Sequence, residues 1–255
     1  HGTSQIATAL LAALFVTVSA VTAYGDRPVH TFKQHSMERE KPTKVTPGKK
    51  PGAPPSDAVV LFGGKDLSAW EAVDGSEAGW KVEDGDMVIV PGSGSIRTKK
   101  KFGDCHLHIE WATDPSPDPD QHYPGNSGVY FGSLYEIQIL SPTPNIYADG
   151  MAGAIYGQYP PLLDANLGAS EWQTYEIIYR RPRFDEDGKL TQPATMTVFH
   201  NGVLVQDCEA LTGPTAHKRR PPYKPHGKLP IMLQDHGCEL RFRNIWLRPL
   251  DESKR

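Results

Sequence analysis

From Ala58 to Leu250 the chain alternates short apolar-patterned segments with turns and sustains no helical period. That pattern confines the fold to antiparallel strands. WKVEDGDMVIV reads as a hairpin through Asp84-Gly85, and TMTVFH and VLVQDC are joined by Asn201-Gly202, a type I′ turn signal. In DCHLHIEW one face carries Cys105, Leu107, Ile109 and Trp111 while His106, His108 and Glu110 take the other. Pro 23 and Gly 24 supply the turns that roughly a dozen such strands need. The class expected is an all-β jelly-roll sandwich of two antiparallel sheets, with long loops over a concave face.

The segments before Asp57 read differently. Ile6–Val21 is an Ala-rich apolar run followed by cleavage-like tripeptides, so residues 1–23 are expected to be a signal peptide or N-terminal anchor. Residues 24–56 are Pro- and Lys-rich with little apolar periodicity, the composition of a disordered tether. The domain is expected over 57–251, with a tail over 252–255. A net charge of −3 gives no reason to expect nucleic acid or an anionic membrane as partner, and membrane contact would come only through an uncleaved N-terminal segment. A periplasmic or secreted location follows from that segment. Three cysteines (Cys105, Cys208, Cys238) lack CxxC spacing; a Cys208–Cys238 disulfide and buried free thiols are both open.

PGNSGVYF (124–131) followed by YEIQIL (135–140) carries the main functional signal. Glu136 and Gln138 share one strand face, opposite Ile137 and Ile139, beside Asn126 and Tyr130. The sharp reading is a sugar-binding face with Glu136 as acid or base; the bland one is a solvated sheet face. A retaining glycosidase needs two carboxyls about 5–5.5 Å apart, and this strand offers Gln138 and Leu140 where the second would stand. Gln234, Asp235 and His236 in LQDHG lie at a strand end, where His236 suits proton transfer near neutrality and the alternative is a capped turn. Arg97 and Arg243 are either sheet-face packing or hydroxyl clamps, and Tyr156 and Tyr159 in the long 141–170 connection could stack on a pyranose. His106 and His108 could chelate a metal but lack a third ligand at evident spacing, so no metal is expected.

LFGGKDLSAW, PGNSGVYF, YEIQIL, GAIYGQYPP, HNGVLVQD and LQDHG…FRNIWLRPL, in this order, resemble the 3-keto-disaccharide hydrolase domain family, in its secreted planctomycete-type form, over about Ala58–Leu250. The resemblance implies a concanavalin-like sandwich that binds a saccharide or 3-keto-glycoside. It implies cleavage by carbon-2 deprotonation, β-elimination and hydration, which requires no second carboxylate. It implies Glu136 and His236 as the base and acid, in either order. Asn126, Tyr130, Gln138, Tyr156, Gln234 and Asp235 would bind substrate, with Arg97 and Arg243 stabilising the enolate. The chain departs from the family at Gly63 and Ser141, where Asp is usual. No cofactor is expected; the class tolerates a structural calcium ion, though no ligand run marks one. A non-catalytic carbohydrate-binding module and an interaction subunit of a secreted assembly remain the alternatives.

Overall fold

Apolar residues at every second position of these strands need a facing apolar surface, and two sheets supply it to each other. A computed structural model describes residues 34–113, 123–144 and 146–252. The apolar N-terminal run and most of the 114–124 loop therefore lie outside the described residues. Among the described residues, 34–39 belong to a separate unit, and Glu40 onward make up the unit that holds all the strands.

Chain order gives β1 (Val59–Phe62), β2 (Trp70–Ala72), β3 (Lys81–Glu83), β4 (Asp86–Val88), β5 (Ile96–Phe102), β6 (Cys105–Thr113), β7 (Ser127–Phe131) and β8 (Tyr135–Ile139). There follow β9 (Gln173–Arg180), β10 (Arg183–Phe184), β11 (Leu190–Gln192), β12 (Thr195–His200), β13 (Val203–Ala210), β14 (Leu229–Leu233) and β15 (Leu240–Pro249). The larger sheet runs β13-β12-β9-β6-β15-β4-β3 with β1 also on β15; the smaller runs β2-β5-β14-β7-β8. All pairings are antiparallel, and no α-helix occurs among the described residues. The expected jelly-roll sandwich is what forms.

Both predicted hairpins close as their turn residues dictate. Asp84 and Gly85 take φ 54° and 85°, Asn201 and Gly202 take φ 51° and 80°, the left-handed pairs that type I′ turns require. Phe131 of the smaller sheet stacks on Tyr179 of the larger with centroids 4.2 Å apart. Tyr175 reaches across the sandwich, its hydroxyl donating to the Gln138 carbonyl at 2.7 Å. The core thus holds the strand that carries Glu136. All three cysteines are free thiols, with Cys105 and Cys238 buried.

The outer face of the larger sheet corrects one expectation. Residues 46–56, expected as structureless tether, lie against it. The Gly52 carbonyl accepts from Asn244 Nδ2 at 2.7 Å and from Trp246 Nε1 at 2.8 Å, and Thr46 and Ser56 close the loop with two mutual bonds. His108 is buried beneath, stacked on Trp246 at 4.9 Å. Few apolar residues suffice because the segment satisfies polar groups of the sheet instead of building its own core. His106 and His108 both bond the Glu176 carboxylate, at 2.5 and 2.6 Å, and this is a structural clasp.

Candidate active site

Cross-strand partners share a face, and the register aligns Glu71, Arg97, Met232, Tyr130 and Glu136 in one row on the outer face of the smaller sheet. The next row brings Gln138 beside Gly128, with the Gln234 amide N–H donating to the Gly128 carbonyl at 3.1 Å. Residues from 123–140, 146–156, 215–217 and 234–236 wall this face into a cleft of about 400 Å³. Asn126, Tyr130, Glu136, Gln138, Gln234 and His236 line it, as does Tyr156.

Glu136 is held on every side. Its backbone N–H donates to Thr215 Oγ1 at 3.1 Å and its carbonyl accepts from the Tyr156 N–H at 3.2 Å, so the long connection runs on as an edge beside β8. The residue is 4% exposed. Burial pushes its pKa from 4.5 up to about 7, against the pull of a hydrogen bond from Tyr130. Burial and the facing carboxylate push the Tyr130 hydroxyl up as well, so it stays protonated and donates. Gly128 makes room for this pair, since a Cβ there would stand 2.3 Å from Glu136 Oε1. That close approach is why the GNSG turn ends in glycine.

Around this centre the cleft is polar and aromatic. Gln138 Nε2 donates to Asn126 Oδ1 at 3.2 Å, and Gln234 Nε2 to the Tyr130 hydroxyl at 3.3 Å. The Tyr156 hydroxyl lies 2.7 Å from that of Tyr147 and 3.0 Å from His217 Nδ1. Burial first, then Tyr147 and the charge of Glu136, raise the Tyr156 pKa. Glu136 is the single carboxylate among the described lining residues. Among the described residues, no three His, Cys, Asp or Glu side chains converge as metal ligands.

Four predicted residues stand elsewhere. Arg243 is on β15, in the other sheet, on the outer face; its Nε donates to Glu110 at 2.6 Å and its guanidinium lies 3.8 Å over Trp172. It therefore cannot stabilise an enolate at Glu136. Arg97 shares the right face but sits three strands from Glu136, about 14 Å of sheet, and its Nε donates to Glu71 at 2.9 Å. Asp235 caps the turn at the end of β14, accepting from the Gly94 and Gly237 N–H groups, both at 2.9 Å, while its neighbour His236 reaches the cleft. Ser127 is likewise structural, donating to the Gln234 carbonyl at 2.7 Å. Tyr159 bonds the Ala210 carbonyl instead of lining the cleft. Ser141, one of the departures, is buried and donates to Thr113 Oγ1 at 2.8 Å.

Reading by strand missed Thr215 and His217, which belong to a loop with no alternating pattern, and Tyr147, within the connection expected to wall the cleft. A sequence profile of the 3-keto-alpha-glucoside-1,2-lyase-like domain matches residues 57–248. No curated protein matches this chain. Among solved structures, a Parabacteroides distasonis protein described as a putative glycosyl hydrolase is 42% identical. It covers 85% of this chain and 95% of its own, with a TM-score of 0.80. Two others of the same organism and description, 22% and 24% identical, cover 76% of this chain and 94% and 99% of their own; their TM-scores of 0.58 and 0.55 support the fold alone.

Proposed function

The chain belongs to the family of 3-keto-alpha-glucoside-1,2-lyase-like domains, and from that premise we propose that it cleaves 3-keto-glycosides by elimination across carbons 1 and 2. The observation that carries this is Glu136, a buried carboxyl whose pKa of about 7 lets it both take and release a proton at neutral pH. A ketone at carbon 3 acidifies the hydrogen on carbon 2. Glu136 takes that proton, the C2–H electron pair moves into the enolate, and its return expels the substituent on carbon 1. The leaving oxygen takes a proton from His236 at the cleft rim. The product is a 2-hydroxy-3-keto-glycal, and addition of water across its double bond yields the free 3-keto sugar.

With Arg97 and Arg243 out of reach, the enolate oxygen and ring hydroxyls fall to Asn126, Gln138 and Gln234, neutral donors lining the cleft. Neutral donors suit this chemistry, because a cation beside Glu136 would favour its charged form and weaken it as a base. The tyrosines supply flat faces for a pyranose. Export completes the reading: the Ile6–Val21 run directs the protein out of the cytoplasm, to be checked by N-terminal sequencing of the mature chain.

The test is incubation with an aryl 3-keto-glucoside and, alongside, the unoxidised glucoside. Phenol release from the keto form alone, with a transient enone absorbance, is expected. Glu136→Gln should lower turnover at least ~10²-fold. Equal cleavage of both sugars would overturn the elimination, and binding of saccharide without release from either would make the cleft a carbohydrate-binding site.

A further inference from the structure

Beside the cleft lies a second hollow of about 360 Å³ that shares Tyr147, Tyr156 and His217 with it and continues onto Lys218, Arg219 and Arg220. These three adjacent cations are all exposed. Asp149 is the one carboxylate among the described lining residues, and no ion pair to any of the three cations occurs among the described residues. Gly157 also lines it; its φ of +68° and the 3.1 Å from a would-be Cβ to the Ala216 carbonyl make a larger residue there strained. The same loop therefore contributes Thr215 to the Glu136 backbone and, three to five residues on, the basic run to the hollow.

From this juxtaposition we propose that the hollow is a subsite for an anionic leaving group. The preferred substrates are glycosides whose aglycone or second sugar carries a carboxylate or sulfate. The inference rests on the elimination reading above, with the sugar ring over Glu136 and the leaving group extending past Tyr156. The guanidinium groups of Arg219 and Arg220 suit planar carboxylate and sulfate oxygens, which they bond as paired donors. Their reach across an open hollow also steers anionic substrates toward the cleft, an effect that salt weakens.

The experiment compares kcat/KM for 4-carboxyphenyl, 4-sulfophenyl and 4-carbamoylphenyl 3-keto-glucosides in the wild-type chain and in Arg219→Ala/Arg220→Ala. The three phenols differ in leaving ability, but that difference is common to both proteins and cancels in the ratio of ratios. The charged-over-neutral preference is expected to fall about fivefold in the variant, the combined effect of two exposed charge pairs of about 0.5 kcal/mol each. It is also expected to shrink in the wild type between roughly 0.05 and 0.5 M salt. The probe with the greater loss identifies the group. A preference unchanged by the substitutions overturns the subsite while leaving the elimination intact. The thermal shift with unoxidised 4-carboxyphenyl glucoside, against its amide, reads the subsite without turnover. An arginine-dependent shift there, with no keto-glycoside cleaved, would uphold the subsite and sink the elimination; no charge preference in that shift would remove the subsite too.

Discussion

Replacing Glu136 by Gln should stabilise the protein, and only above about pH 5. The carboxyl titrates at about 7 in the folded chain against 4.5 for an unperturbed Glu. At about 1.4 kcal/mol per tenfold, the folded state disfavours the anion by about 3 kcal/mol. The sign follows from which state holds the proton. Below pH 4.5 both folded and unfolded chains keep it, and the group contributes nothing. Between 4.5 and 7 the unfolded chain ionises while the native one retains its proton, so stability falls as pH rises; above 7 the full penalty is present. Gln cannot ionise, yet its carbonyl still accepts the Tyr130 hydrogen bond. Urea unfolding of both proteins at pH 4 and pH 8 isolates the effect, since every other titrating group is shared. The variant should match the wild type at pH 4 and exceed it by about 3 kcal/mol at pH 8, a gain of roughly 6–12 °C in Tm. A difference that moved by less than about 1 kcal/mol over that range would refute a strained, desolvated base. The same titration should appear as an ascending limb near pH 7 in kcat/KM for a 3-keto-glucoside.

Gly128→Ala forces Glu136 Oε1 away from a Cβ that would stand 2.3 Å off; activity should fall at least ~10-fold for a stability loss of about 1–3 kcal/mol, read by denaturant unfolding. Tyr175→Phe removes the donor that crosses the sandwich to the Gln138 carbonyl, which keeps its bond from the Gly153 N–H at 3.0 Å; a cost of about 1–2 kcal/mol is expected in urea. Removing residues before Asp57 takes away the Gly52 carbonyl that satisfies Asn244 and Trp246, and should lower stability by about 1–3 kcal/mol relative to the full chain. Glu176 behaves oppositely to Glu136: burial would raise its pKa, but the bonds from His106 and His108 bring it down to about 2. Its contribution is present above pH 4.5 and lost as pH falls toward 2, so Glu176→Gln should be costly near pH 6 and neutral near pH 2.

What could be read without coordinates was whatever chemistry is local. Alternation fixed the strand faces, so Glu136 and Gln138 were legible as a pair, and the Asp84-Gly85 and Asn201-Gly202 turns specified their hairpins through two residues each. The pKa of Glu136 was not legible, because it depends on segments 146–156 and 215–217 walling its cleft, the latter from 79 residues away at Thr215. Pro/Lys-rich composition misled for 46–56 because it measures the surface a segment can bury for itself, not the polar groups a neighbouring sheet leaves for it to satisfy.

Arg243 shows where local reading must fail and what could have corrected it. An arginine on a strand face is equally compatible with either sheet of a sandwich, and only topology decides which. β15 pairs with β6, setting Arg243 opposite Glu110. Glu110 was already legible on the outer face of DCHLHIEW, opposite Trp111, so its acidic side chain offered a partner to any arginine on a neighbouring strand. The same logic applies to Arg97, neutralised by Glu71 on β2. Both arginines have a carboxylate as cross-strand partner, whereas Lys218, Arg219 and Arg220 have none among the described residues. A cation beside a cleft with no carboxylate bonded to it is a better candidate for binding an anionic ligand than an arginine already held by one. The site's positive charge then lies on a loop at the cleft's edge, where it can recognise a leaving group without lowering the pKa of the base.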